Sequence, residues 1–308
     1  MENLRGTTAF ITGGARGIGL GIARALAGRG VRMALADIDA MALDAAKNEL
    51  ATRAPDAGSV QTFELDVRDR AAFAAVADQA EQRLGPVSLL INNAGVSLGL
   101  RKVSEQVTYP IWDYITGVNV DGVNNGVQTF LPRMLSRGGP GHIVNTASVA
   151  GLGVFPGRSA AYGYTASKAA VIALTETLHH GLRDEGAAIG ASVLLPGLVA
   201  TAITTNSLHA APDDIVPPGE RARVAELARQ GAEIIAVHGR DIDTVGEQVV
   251  EGILDNRLYI LTDRMAAGVV ASRARAIIDA MPAEDGRTER VLDLGSGTGT
   301  ARDDRSSA

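Results

Sequence analysis

Tyr164 and Lys168 stand four residues apart, the separation that places two side chains on one face of a helix. A free phenol ionises near pH 10, too high for a base at neutral pH. An ammonium beside it favours the phenolate, so the pair suits reversible proton transfer. Tyr162 is a rival phenol, but Ala166 occupies the position four residues on, so it lacks a lysine partner. Ser148, at the end of a short apolar run, offers a hydroxyl that can donate to an oxygen as negative charge develops there.

A second constellation lies near the N-terminus, in Thr12-Gly13-Gly14-Ala15-Arg16-Gly17-Ile18-Gly19. Glycines between a strand and an apolar helix let the backbone turn tightly, so that a pyrophosphate can sit on the helix N-terminus. Gly13, Ala15, Arg16, Gly17, Ile18 and Gly19 are therefore candidate dinucleotide contacts. Asp37, twenty residues beyond Gly17, ends the next apolar run. A carboxylate there accepts both adenosine ribose hydroxyls and repels a 2′-phosphate. That argues for NAD over NADP. Arg16 cuts the other way, because a guanidinium in the loop can pair with such a phosphate.

These residues need a scaffold that brings strand ends together. Apolar, non-alternating runs at 8–12, 32–36, 60–64, 88–92, 142–146 and 192–195 read as parallel strands covered on both faces. Helical segments alternate with them at 17–29, 40–53, 71–84, 112–136 and 164–185, the last with Val171, Leu174, Leu178 and Leu182 on one face. Strand–helix alternation implies right-handed βαβ units, hence an α/β fold with a doubly wound parallel sheet, the Rossmann fold. The stretch 201–240 reads as a mobile lid with short helical pieces such as 221–230. A helix at 243–255, a strand at 258–261 and a helix at 266–279 follow. The expected organisation is a single domain, residues 1–265, with a C-terminal helix and tail, 266–308.

Composition narrows the classes. With 46% hydrophobic and 21% charged residues, the chain can bury a substantial core. A net charge of -6 gives no reason to expect nucleic acid or an anionic membrane as partner. The absence of cysteine excludes disulfides, thiolate ligands and cysteine nucleophiles. The histidines show no ligand spacing with carboxylates, so no catalytic metal is expected. His179-His180 reads as a solvated or subunit-interface pair. The first residues lack an apolar signal core, and no run is long enough to span a bilayer, so the expected location is cytoplasmic.

Taken in order, Thr12-Gly13-x-x-x-Gly17-x-Gly19, Asn92-Asn93-Ala94-Gly95, Ser148, Tyr164-x-x-x-Lys168 and Pro196-Gly197 resemble the short-chain dehydrogenases/reductases over about residues 5 to 262. The segments at 117–134, 138–144 and 255–261 are similar to bacterial Cα-dehydrogenases, which oxidise the benzylic alcohol of lignin-derived β-aryl ethers. The resemblance implies hydride transfer between a nicotinamide and a carbonyl or alcohol, with Tyr164 as acid/base. Lys168 would lower the phenol and hold the ribose hydroxyls, and Ser148 would bind the substrate oxygen. Asn119 would bind a water linking the lysine to solvent. Ser148 outranks Thr146 because Val-Ala-Gly follows it, as in the family. Asp66 and Val67 would hold the adenine, and Asn93, Ala94 and Gly95 would form a turn beside the adenosine. Pro196, Gly197, Val199 and Thr201 would line the nicotinamide side, Thr201 at the carboxamide. Ser148 and Tyr164 are sixteen apart where thirteen is commoner, which places the extra residues in the loop 157–161.

Val96, Leu98, Leu152, Val154, Phe155, Leu198 and Leu208 are available to line a pocket for a hydrophobic secondary alcohol or ketone, aryl-substituted ones included. Relatives pair helices like 112–136 and 164–185 across a two-fold axis, so a homodimer or homotetramer is expected. Three alternatives stay open. One is an NADP-dependent reductase of steroid or bulky xenobiotic ketones. Another is a non-catalytic dinucleotide sensor, which the Ser148, Tyr164 and Lys168 set opposes. The third is a methyltransferase suggested by the glycine loop at 291–300, which has too few residues behind it to build a nucleotide-binding unit.

Overall fold

The computed structural model describes residues 3–53, 58–98, 103–155, 161–212, 214–216 and 218–282. Its strands are β1 (Thr8–Thr12), β2 (Arg32–Asp37), β3 (Val60–Glu64), β4 (Val87–Asn92), β5 (Gly141–Thr146), β6 (Ile189–Leu195) and β7 (Tyr259–Leu261). Its helices are α1 (Gly17–Ala27), α2 (Ala40–Ala51), α3 (Arg70–Leu84), α4 (Val103–Gln106), α5 (Tyr109–Thr116), α6 (Gly122–Arg137), α7 (Tyr162–Asp184), α8 (Ile203–His209), α9 (Arg221–His238), α10 (Ile242–Leu254) and α11 (Ala267–Asp279). The strands form one parallel sheet in the order β3-β2-β1-β4-β5-β6-β7. Strand order reverses beside β1, so the crevice between the carboxyl ends of β1 and β4 is where a doubly wound sheet binds ligands.

Alternation along each strand feeds two cores, one per face. Phe10 and Leu90 point to one side, where Phe10 packs on Phe130 with ring centroids 4.8 Å apart. Ile11, Leu89 and Ile91 point to the other, joining Ile22 of α1 and Val249 of α10. Both faces of β1 and β4 are thus buried, which explains why those strands read as apolar runs without alternation. Residues Met1–Val269 make one compact unit and Val270–Ala308 a second. Among the described residues no helix is long and apolar enough to cross a membrane.

Three expectations are corrected. The helix expected over 112–136 is interrupted by a π-turn, Gly117–Asp121, in which Gly122 N–H donates to Gly117 O. The 201–240 stretch, expected to hold short helical pieces, contains α9 over 18 residues. Val224 and Ala228, four apart, are buried with Leu208 of α8 in the same core as Tyr114. That buried face sustains one helix well beyond the short piece expected at 221–230. The strand expected at 192–195 begins earlier, at Ile189. The glycine loop at 291–300 lies outside the described residues.

Candidate active site

The carboxyl ends of β4, β5 and β6 meet α7, and the site is assembled there. Ser148 follows β5 in extended conformation and starts the short turn Val149–Gly151. A Cβ on Gly151 would lie 2.7 Å from the Lys168 carbonyl carbon, so glycine permits the turn to touch the α7 backbone. That contact carries Ser148 to Tyr164, whose hydroxyl shares a hydrogen bond with it. Ser148 Oγ also donates to Pro196 O at 3.5 Å and accepts from Ala150 N at 3.1 Å.

On α7 the buried face includes Ser167, Lys168, Val171 and Thr175, spaced so that apolar packing fixes the helix rotation and turns Lys168 inward. Lys168 Nζ donates to Thr146 O at 2.9 Å and lies 5.7 Å from the Tyr164 ring centroid. Burial pulls the ammonium down to about 8. Burial also pushes the Tyr164 phenol up, opposed by its hydrogen bond to Ser148. In the chain alone, desolvation therefore prevails over the lowering that an adjacent ammonium was expected to give.

Asn119 sits in the π-turn and is completely enclosed. Its Oδ1 accepts from Val96 N at 2.8 Å, and its Nδ2 donates to Val96 O and Ser167 Oγ, both at 3.0 Å. Ser167 Oγ in turn donates to Tyr164 O at 2.8 Å. The widened turn thus ties the segment after Gly95 to the first turn of α7. Gly95 fits against both, since a Cβ there would lie 3.3 Å from Asn119 Oδ1 and from Lys168 Nζ.

The second constellation forms a cradle at the end of β1. Gly13 and Gly17 have positive φ, 61° and 52°, where a side chain would be strained. A Cβ on Gly19 would lie 2.1 Å from Gly13 O. Arg16 is the N-cap of α1 without a side-chain cap bond, and the first turn has no acid. The positive end of α1, at Gly17, Ile18 and Gly19, is therefore unopposed toward an anion. Asp37 Oδ2 accepts from Ala15 N at 3.3 Å and its Oδ1 from Asp39 N at 3.2 Å. Burial raises its pKa, countered by those two amides. Asn93 N and Ala94 N both donate to Thr12 Oγ1, and Asn93 Nδ2 donates to Gly13 O at 3.1 Å. Thr201 stands opposite Gly17, where its Cγ2 would be 3.0 Å from a Cβ. Gly197 N donates to Thr262 Oγ1 at 2.9 Å, and Val199 is buried and paired with Arg240. Asp66 forms an ion pair with Arg68 at 2.6 Å, and Val67 O accepts from Asn125 Nδ2. The positive-φ glycines, the uncapped helix end and the inward carboxylate fit a dinucleotide. Gly13 to Gly19 would take its pyrophosphate and Asp37 its adenosine ribose; it would supply the hydride acceptor or donor.

Sequence reasoning gave no role to Ser167, to Asp39 or to Thr12, which it read only as the start of the glycine motif. Ser167 lies between the two α7 residues and carried a usable signal, because it shares their buried face. The Arg16–Asp39 pair had none, since its partners lie 23 residues apart on different elements. Of the residues offered as pocket lining, Val96, Leu98 and Leu208 are buried in the main core, because an apolar side chain suits a core as well as a pocket. Leu152 packs against the cluster around Ile172, and Val154 is exposed. Leu198 lines a cavity of about 380 Å³ with His238, Arg240, Asp263 and Met265. His179, read as a solvated or interface residue, is half-buried and hydrogen-bonded through Nδ1 to Ala191 O. In the loop 157–161, residues 157–160 lie outside the described residues.

Fold and site together define a dinucleotide-binding oxidoreductase scaffold. The short chain dehydrogenase family model matches residues 7–211, and the chain belongs to that family. It is 36% identical over 297 residues to the C alpha-dehydrogenase of Sphingobium sp. (strain SYK-6), covering 94% of this chain and 93% of that one. The expected similarity to the Cα-dehydrogenases is thereby borne out. A short chain dehydrogenase/reductase of Burkholderia phymatum, solved in complex with NAD, superposes with a TM-score of 0.82 at 35% identity, over 92% of this chain and 99% of that one. A 3beta-hydroxysteroid dehydrogenase of Eggerthella lenta is 34% identical over 65% of this chain and 74% of its own length.

Proposed function

We propose that the chain is an NAD-dependent oxidoreductase acting on a hydrophobic secondary alcohol or its ketone, with aryl-substituted, benzylic alcohols as the first candidates. The observation that carries it is the triple Ser148–Tyr164–Lys168, in which Ser148 and Tyr164 share a hydrogen bond and the buried Lys168 Nζ lies 5.7 Å from the Tyr164 ring centroid. A nicotinamide held in the cradle would supply the hydride acceptor for alcohol oxidation and the hydride donor for carbonyl reduction. Tyr164 takes the hydroxyl proton in oxidation and gives it back in reduction. Ser148 donates to the substrate oxygen, where charge changes most between the two states. Lys168, protonated below about 8, holds positive charge beside the phenol and would hold the ribose hydroxyls.

Asp37 supports NAD, because its carboxylate ends β2 beside the loop, with Oδ2 held by the loop amide of Ala15 and Oδ1 by the amide of Asp39. The NAD-bound relative and the similarity to a C alpha-dehydrogenase point the same way. The test mixes the purified protein with NAD or NADP and a panel containing a β-aryl ether benzylic alcohol, 1-phenylethanol, a hydroxysteroid and a polyol. Reduced nicotinamide is followed by absorbance. Turnover of benzylic alcohols with NAD is the expected result. Preference for the polyol, or turnover confined to the hydroxysteroid with NADP, overturns the assignment.

A further inference from the structure

Asp39 lies two residues beyond the ribose-facing Asp37 and uses both of its oxygens. Oδ1 accepts from Ala42 N at 2.9 Å, capping α2, and Oδ2 holds Arg16 Nη2 at 2.5 Å. The pair is only partly shielded, with side-chain exposures of 45% for Arg16 and 24% for Asp39, so a ligand phosphate could compete for the guanidinium. Arg16 is the residue of the glycine loop able to receive a 2′-phosphate by charge-assisted, two-point bonding. Its position next to Ala15, whose amide contacts Asp37, puts it at the ribose edge of the cradle. Three charges therefore meet there, two carboxylates and one guanidinium, with a net charge of -1. Asp39 is anchored by the α2 cap, which fixes the carboxylate that faces Arg16.

We propose that Asp39 is a cofactor-selecting residue: it neutralises and immobilises Arg16, so that the loop's cation is withheld from a 2′-phosphate. Discrimination against NADP then has two parts, repulsion at Asp37 and sequestration at Asp39. The inference rests on the reading of an adenosine dinucleotide in this cradle. It also implies that replacing Asp37 alone leaves NADP binding poor, because Arg16 stays engaged.

The test is direct binding, by fluorescence titration of the protein with NADH and NADPH, with no substrate present. Asp39→Asn keeps a side chain that caps a helix as well as aspartate does while removing the charge; Asp39→Ser is the second capping variant, and thermal melting verifies folding. Asp39→Asn should tighten NADPH by about tenfold, a change of one charge-assisted contact, with NADH affinity altered far less. Adding Arg16→Gln to Asp39→Asn should return NADPH binding to the wild-type level. Unchanged NADPH affinity in both capping variants overturns the proposal, as does a gain that persists without Arg16. If the wild type prefers NADPH yet the gain appears and needs Arg16, the role of Asp39 stands and the NAD assignment falls. If neither nucleotide binds, both fall.

Discussion

At the level of single residues, two buried groups are displaced toward each other. The Tyr164 phenol is pushed up by burial and the Lys168 ammonium is pulled down to about 8. Alcohol oxidation needs the phenolate, so its rate should climb with pH. The support from Lys168 is lost as pH passes about 8, which bends the rise over. Ketone reduction needs the intact phenol and should be favoured on the acid side of that range. Measuring kcat/KM against pH in both directions checks this, and parallel profiles for the two directions would contradict it. Asn119→Ala removes the bonds to Val96 and Ser167. It should lower kcat more than cofactor affinity, because Asn119 positions the turn of α7 that carries Tyr164. Rescue by Asn119→Asp is not expected, since a carboxylate cannot donate to Val96 O.

At the scale of elements, α1 carries the cradle and α10 sets where α1 lies. The two helices cross with backbone against backbone: a Cβ on Gly246 would lie 2.2 Å from Gly21 O, and one on Gly21 would lie 2.1 Å from Ile242 O. Arg24–Asp243 and Arg29–Glu247 ion pairs flank the crossing. Gly246→Ala should force the helices apart and cost about 1–3 kcal/mol, the usual range for overpacking. A lower melting temperature with weakened NADH binding is expected; weakened stability with unaltered binding would show that α1 is placed by other contacts. Between β5 and β6, His142 is buried with Nε2 2.7 Å from Ser192 Oγ. Since Ser192 donates to Arg257 O, its oxygen must accept from an Nε2–H imidazole. Burial lowers the His142 pKa from 6.5 to about 3. The folded state therefore favours the neutral ring: its contribution is full above the unfolded value near 6.5 and is lost as pH falls from there toward 3. Urea titrations at successive pH values should lose on the order of a few kcal/mol across that window. The acid slope should be shallower in His142→Asn, and equal slopes would contradict the assignment.

At the scale of the whole molecule, what was legible in the sequence is what repeats along the chain. Short apolar runs marked the strands, because each strand is buried on both faces and must be apolar throughout. The glycine loop, Asp37 and the Tyr164–Lys168 spacing marked the site, because one turn or one helix face fixes each. What depends on contacts between distant segments was not legible. The π-turn at Gly117–Asp121 exists where Asn119 satisfies the Val96 backbone, and α9 is held by its buried face and by packing against α8 rather than by its own polar sequence. Core and pocket could not be separated for Val96, Leu98 and Leu208, since side-chain type is the same in both. The central claim is that these segments converge to make Tyr164 the proton carrier of an NAD-dependent alcohol oxidation. Its most direct test compares NAD reduction by wild type and Tyr164→Phe on a benzylic secondary alcohol, with NADH affinity measured on both. Tyr164→Phe should lose about 10²–10⁴ in kcat with NADH binding retained. A phenylalanine variant that turns over at the wild-type rate would contradict it.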